Sequence, residues 1–262
     1  MKSLTEFTFT FVFALLVACA PLAAQATGTD EDVGGGSNDT PTGDLRLRLT
    51  AFRLPSADAK FALREIGKEG EVVRQTDPFV ISTRNLGIPV KVGSRKLVLG
   101  IVRSGKGGEG EEPPFRRVAD LELPRPGRAF VVLLVPGEDN PEKLRPRVVR
   151  ADPAVFEPGE IRFFNLGPAR LAWRLGEKKG VIDGYDRASV AARETPDEEV
   201  FSVEFYFERA GSAERFAVTR WVRRPNVRSF VFFYPAEKSD RYRYRVFEDH
   251  PAWTGAMDRG DG

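Results

Sequence analysis

Val118-Ala-Asp-Leu-Glu-Leu-Pro-Arg-Pro-Gly-Arg-Ala-Phe-Val-Val-Leu-Leu-Val-Pro136 has a counterpart 100 positions later, Val218-Thr-Arg-Trp-Val-Arg-Arg-Pro-Asn-Val-Arg-Ser-Phe-Val-Phe-Phe-Tyr-Pro235. Val118 matches Val218, Arg128 matches Arg228, Phe130 matches Phe230 and Val131 matches Val231. Each copy reads as an alternating strand, a turn containing proline, and an Arg-x-Phe-Val run whose continuous apolar character marks a buried strand. The chain is therefore expected to be all-β, two tandem antiparallel β-sandwich units of immunoglobulin-like general architecture that arise from an internal duplication.

Working outward, the offset between matching segments drifts in one direction. Gly67 to Gly176 is 109, the segment 96–103 against 200–207 is about 104, Arg128 to Arg228 is 100 and Pro153 to Pro251 is 98. Changes in loop length between paired strands give such a drift. A rival register matches Asn85-Leu86-Gly87 to Asn165-Leu166-Gly167 and leaves the N-terminal strands without counterparts. The expected units are residues 44–153 and 154–253, joined through Ala154 to Gly159 and followed by a frayed tail, 254–262. The alternation Leu45-Arg46-Leu47-Arg48-Leu49 opens the first unit as a half-buried strand, with leucine on one face and arginine on the other. Proline and glycine recur every ten or so residues and apolar spacing is two, so no helix is expected and about seven short strands per unit are.

The composition narrows the chemistry more than it names it. In 262 residues the net charge is +2, which places no bulk demand for nucleic acid or an anionic membrane. There is one cysteine, Cys19, and one histidine, His250. Zinc sites need several nitrogen or thiolate ligands and nucleophilic pairs need a histidine beside the nucleophile, so both are set aside and no cofactor is expected.

The N-terminus reads as an export signal over residues 1–26: Lys2, then an apolar run from Phe7 to Leu16, then small residues. Ala24-Gln25-Ala26 is a site for ordinary signal peptidase. Competing with it, Leu16-Val17-Ala18-Cys19 resembles the lipobox of bacterial lipoproteins, in which the cysteine is acylated and becomes the new N-terminus, so the mature chain is expected either lipid-anchored at Cys19 or periplasmic or secreted from Thr27. Residues 27–43, rich in Gly, Ser, Thr and Asp, have too little apolar surface to order themselves and suit a tether. A membrane contact is expected only through that lipid.

Two groups of side chains are candidates for binding. Arg220, Arg223 and Arg224 flank Trp221, and Arg241-Tyr242-Arg243-Tyr244-Arg245 sets three arginines on one side of a strand and two tyrosines on the other. Guanidinium groups beside aromatic rings suit phosphate, sulfate or uronic-acid groups on an envelope polymer. Strand alternation by itself also explains the second row, with arginine on the wet face and tyrosine in the core. Loop carboxylates at Asp183, Asp186, Glu138 and Asp139 offer oxygen to calcium but lack the EF-hand spacing, and Asp, Asn and Gly are also what tight turns need. Asp249-His250 invites comparison with a proton relay, yet a polar terminal turn accounts for it. Gly105 to Gly110 lacks the strand and helix of a phosphate loop, and Glu109, Glu111 and Glu112 would repel phosphate. Paired carboxylates of the glycosidase kind carry no local motif here.

Signal segment and tether, followed by Gly159-Glu-Ile-Arg-Phe-Phe-Asn-Leu166 and Leu171-Ala-Trp-Arg-Leu-Gly176, resemble the opening of exported bacterial β-sandwich proteins of uncharacterised role, lipoprotein-like in type. That resemblance implies a fold and an envelope location and transfers no catalytic residue. The function expected from the sequence is an exported cell-envelope protein, a non-enzymatic structural or interaction module. The alternative is an envelope carbohydrate-binding or carbohydrate-active protein.

Overall fold

The computed structural model describes residues 45–56, 58–102, 114–137, 140, 142–236 and 241–251. The signal segment, Cys19, the tether, the Gly105–Gly110 tip, Glu138, Asp139, Trp253 and the tail lie outside the described residues.

Leucines 45, 47 and 49 of β1 (Leu45–Ala51) point into one hydrophobic core, as the period of two requires. The first half continues with β2 (Lys60–Ile66), β3 (Val72–Gln75), β4 (Phe79–Val80), β5 (Val90–Val92), β6 (Lys96–Val102), β7 (Phe115–Glu122), β8 (Ala129–Pro136) and β9 (Leu144–Arg150). One sheet runs β5-β1-β8-β9 and the other β3-β2-β6-β7, with β4 beside β2. The second half comprises β10 (Ile161–Asn165), β11 (Leu171–Leu175), β12 (Lys178–Ile182), β13 (Arg187–Val190), β14 (Val200–Arg209), β15 (Ser212–Val222), β16 (Arg228–Pro235) and β17 (Tyr242–Asp249). Its sheets run β13-β10-β16-β17 and β12-β11-β14-β15, the same orders position for position.

The fold is all-β, and each half is a sandwich with its own core. Two features differ from the expectation. The strands number nine and eight rather than seven, with one 3-10 turn at Ala192–Glu194. Neither sandwich is purely antiparallel, because β1 lies parallel to β8 and β10 parallel to β16. The strands of these pairs are far apart in sequence and joined through the other sheet, so no hairpin turn forces them antiparallel.

A third apolar layer joins the halves. Ala129, Val131 and Leu133 of β8 meet Phe230 and Phe232 of β16 there, with Phe156 of the connector fully buried among them. The sheets carrying β8 and β16 are thus covered on both faces, which is why these strands read as unbroken apolar runs. The arginine face of β1 is not a wet face either. Arg48 points into this layer, where its Nη1 donates to Asp249 Oδ1 at 2.5 Å, its Nε to Gly87 O at 2.7 Å and its Nη2 to Leu86 O at 3.1 Å.

The hydrogen-bond register fixes which residues of the two halves correspond. Leu97 faces Leu121 as Phe201 faces Trp221, and Leu123 N donates to Arg95 O at 2.9 Å as Arg223 N donates to Glu199 O at 2.8 Å. Residues of β7 and β15 therefore correspond at a spacing of 100. One strand later the spacing is 101, because Leu47 pairs with Phe130 and its inward-facing counterpart Phe163 pairs with Val231. The added residue in the second turn flips the side chains that the sequence match equates. Phe130 faces its own sandwich core and Phe230 faces the layer between sandwiches, while Arg128 is exposed and Arg228 is fully buried.

Candidate functional site

The mouth of the first sandwich is closed by its own sequence. Leu121 and Leu123 are each 2 % exposed and belong to the core. Arg95 reaches over the following turn, donating from Nη1 to Pro124 O at 2.7 Å and from Nη2 to Gly127 O at 2.9 Å. Asp152 closes the other side, accepting from Arg128 N at 2.9 Å and from Arg150 Nε at 2.7 Å. Burial pushes the Asp152 carboxyl up, but the Arg150 guanidinium and the Arg128 and Ala129 amides outweigh it and hold it below the usual carboxylate range.

At the corresponding mouth of the second sandwich, Trp221 stands for Leu121, Arg223 for Leu123 and Glu199 for Arg95. An indole cannot lie where an isobutyl group lies, a guanidinium cannot be left in an apolar core without a partner, and a glutamate cannot lace carbonyl oxygens together. The result is a cleft of about 340 Å³. Its apolar wall is Ile161, Phe201, Trp221 and Val246, and its polar edge is Arg220, Arg223, Arg224 and Glu248. Trp221 is half-buried, set edge-on to Phe205 at 5.9 Å and Phe201 at 6.5 Å between ring centroids.

The cations differ in how firmly they are held. Arg224 Nη1 donates to Glu248 Oε2 at 2.7 Å, joining the turn to β17. Arg223 stands 3.3 Å from Asp197, whose side chain is 97 % exposed. Arg220 has no hydrogen bond or ion pair among the described residues. It projects from the outer face of β15 opposite Ser202. Its counterpart in the first half is Asp120, opposite Val98, and the Arg220 side chain points away from the face on which Trp221 packs against the core.

The second candidate row is placed elsewhere. Tyr242 and Tyr244 point into the second core as alternation requires, and the Tyr242 hydroxyl accepts from Ala169 N at 2.9 Å. Arg243 and Arg245 lie on the opposite face of β17, and none of Arg241, Arg243 and Arg245 lines the cleft. Arg245 Nη1 donates to Phe52 O and Thr83 O, each at 3.1 Å, and its guanidinium lies 5.1 Å from the Phe52 ring. That arginine ties the sandwiches together, so alternation did not put it on a wet face, and the seven nominated residues do not form one surface.

The remaining nominations resolve into structure. Asp183, Gly184, Tyr185 and Asp186 form a turn in which Asp186 N donates to Asp183 O at 3.2 Å and Tyr185 N to Gly167 O at 2.9 Å, while Asp183 stands 3.1 Å from Arg170. Asp249, beside His250, is held by Arg228 and Arg48. Trp173 is a core residue stacked on Phe163 at 5.2 Å, with its indole so close to Gly180 that an added Cβ there would meet the ring at 2.4 Å. Sequence reasoning missed Glu248, Phe201 and Val246, which reach the cleft through strand pairing. Only the Ser229–Glu248 register of β16 and β17 connects that glutamate to Arg224.

No family model and no curated protein matches this chain.

Proposed function

We propose that this chain is an exported protein of the bacterial cell envelope that acts by contact rather than catalysis, and that it makes its contact at the mouth of the second sandwich. The N-terminal export pattern, with Cys19 as a lipid anchor and residues 27–43 as a tether, is the sequence support for the location. Both sandwiches are immunoglobulin-like in general architecture and descend from one duplicated unit, a reading supported by their shared strand order and register.

The observation that carries the proposal is the difference between the two mouths. A repeated architecture with Leu123 filling one end and Arg223 opening the other has given up apolar burial of about 1.5–3 kcal/mol at that position. A residue that costs stability at a cleft is better explained by a ligand than by the fold. The test is Arg223→Leu, which restores the residue of the first sandwich. The variant is expected to be at least as stable in urea as the parent and to lose co-sedimentation with isolated cell-envelope material. Unchanged co-sedimentation would sink the assignment of the contact to this mouth. Membrane fractionation of the parent and a Cys19→Ser variant tests the anchor separately: release on substitution supports it, and indifference removes it.

A further inference from the structure

The cleft takes residues from two strands that end their sheets, β15 and β17, so it opens where a further strand could be added. At 11 residues β15 is also the longest strand among the described residues. The edge strands β3, β5, β12 and β13 have three to five residues and offer little for a partner to pair with.

The hydrogen-bond phase of β15 is set at its end. Arg223 N donates to Glu199 O at 2.8 Å, and bonded pairs alternate with unbonded ones in an antiparallel ladder. Trp221 and Thr219 therefore bond to Phe201 and Val203, while Val218, Arg220 and Val222 turn their N–H and C=O groups away from β14. Ser202 of β14, which faces Arg220, fits this phase: its carbonyl accepts from Gly176 N at 2.8 Å on the other side. No strand among the described residues pairs with the outer edge of β15, and the Val218 and Val222 side chains are exposed.

Side chains of an added strand alternate between faces, which suits the two sides of β15. On the wet face Arg220 stands between Val218 and Val222, without a hydrogen bond or ion pair among the described residues. On the inner face Trp221 borders the cleft, whose apolar wall includes Val246 of β17. An acid on the added strand would meet Arg220, and the residue next to it would enter the cleft beside Trp221. Arg220 and Trp221 are then met by successive residues of one chain, each on its own face. β7 offers neither: Asp120 and Glu122 are exposed along it, and Leu121 and Leu123 fill its mouth. A second copy of this chain fits poorly, because the wet face of β15 carries Arg215 and Arg220 and no acid, so a two-fold pairing sets like charges together.

Resting on the contact function proposed above, we infer that β15 takes up an extended segment of another polypeptide as an added strand. The segment carries an acid between apolar residues on its wet face and places an apolar side chain in the cleft.

The experiment is isothermal titration of the mature chain with the peptide acetyl-Ser-Val-Leu-Glu-Leu-Val-Ser-amide. Its pattern reads the same in both directions, so it presents glutamate to Arg220 in a parallel or an antiparallel pairing. Lysine in place of that glutamate is expected to weaken binding about fivefold. N-methylation is applied either to the glutamate and valines or to the two leucines; one set is expected to lose binding about tenfold or more and the other to keep it, because alternate amides face β15. Hydrogen exchange of the Val218, Arg220 and Val222 amides is expected to slow on binding. Val222→Pro removes an outward N–H that β14 does not use, and is expected to cost about tenfold in affinity. The methylated peptides need no change to the chain and stand if that variant folds poorly. Equal affinity of the two methylated peptides overturns strand addition. Equal affinity of the lysine peptide overturns the acidic partner. Concentration-dependent dimerisation of the chain that Val222→Pro abolishes assigns the edge to a second copy and overturns the separate polypeptide. No binding of the peptide overturns the inference as a whole, and the Arg223→Leu sedimentation result then decides separately whether the mouth is a contact site.

Discussion

Arg228 is the largest fully buried side chain of the molecule's described residues, and its environment explains how a guanidinium is kept there. Its Nε donates to Asp249 Oδ2 at 3.0 Å, and its Nη1 donates to Ala151 O at 2.7 Å and Phe156 O at 3.0 Å. Burial pulls its pKa below the ordinary arginine value and the Asp249 charge opposes that, while Arg48 meets the other carboxylate oxygen from the first sandwich. One carboxylate therefore serves two guanidinium groups from different halves. Asp249→Ala removes the carboxylate that both guanidinium groups share, and urea unfolding should show a loss of about 3–5 kcal/mol. A loss below about 1 kcal/mol would mean that water already satisfies the arginines.

At the scale of the element, the decisive piece is the turn that joins β7 to β8 in the first sandwich and β15 to β16 in the second. In the first, Asp152 fastens the turn through the Arg128 and Ala129 amides, and its depressed carboxyl makes that fastening dependent on pH. A group whose folded pKa lies below its unfolded value stabilises above the unfolded value, about 3.9, and loses that contribution as pH falls through the folded one. Asp152→Asn should therefore cost on the order of 1–2 kcal/mol near neutral pH, with the difference from the parent shrinking in acid denaturation below about pH 4. A difference that stays constant with pH would show that ionisation of Asp152 contributes nothing to the fastening. The same turn shows how far the sequence could be read. Leu45-Arg46-Leu47-Arg48-Leu49 and the buried character of β8 and β16 were legible from the period of two and from apolar runs. The match of Phe130 to Phe230 was misleading, because one added residue turns a strand over while leaving its letters aligned. The fate of Arg245 was equally hidden, since alternation says which side a residue faces and not what covers that side.

At the scale of the whole molecule, four sheets carry three apolar layers, and the middle one contains the connector's Phe156 as well as strand residues from both halves. Phe52 reaches across it to Phe232 at 6.2 Å and Tyr234 at 4.6 Å. This layer uses up much of the inner faces of both sandwiches and takes in Arg245 of β17, which leaves the sandwich mouths as places where the two halves are free to differ. The cleft was half legible: Arg220, Trp221, Arg223 and Arg224 stood out as a cluster, but their significance rests on Leu123 filling the equivalent place in the other half. The spacing of 100 already sets Leu123 against Arg223 in the sequence, and what the structure adds is that Leu123 is buried in the core while Arg223 lines a cleft. The central claim is that contact is made at the second mouth, and backbone amide shift mapping of the isotope-labelled chain on adding solubilised cell-envelope polymer tests it most directly. The account predicts perturbations clustered at Thr195, Phe201, Arg220 to Arg224 and Val246 to Glu248. Perturbations centred on Arg241 to Arg245, or on Leu121 to Gly127 of the first sandwich, would contradict it.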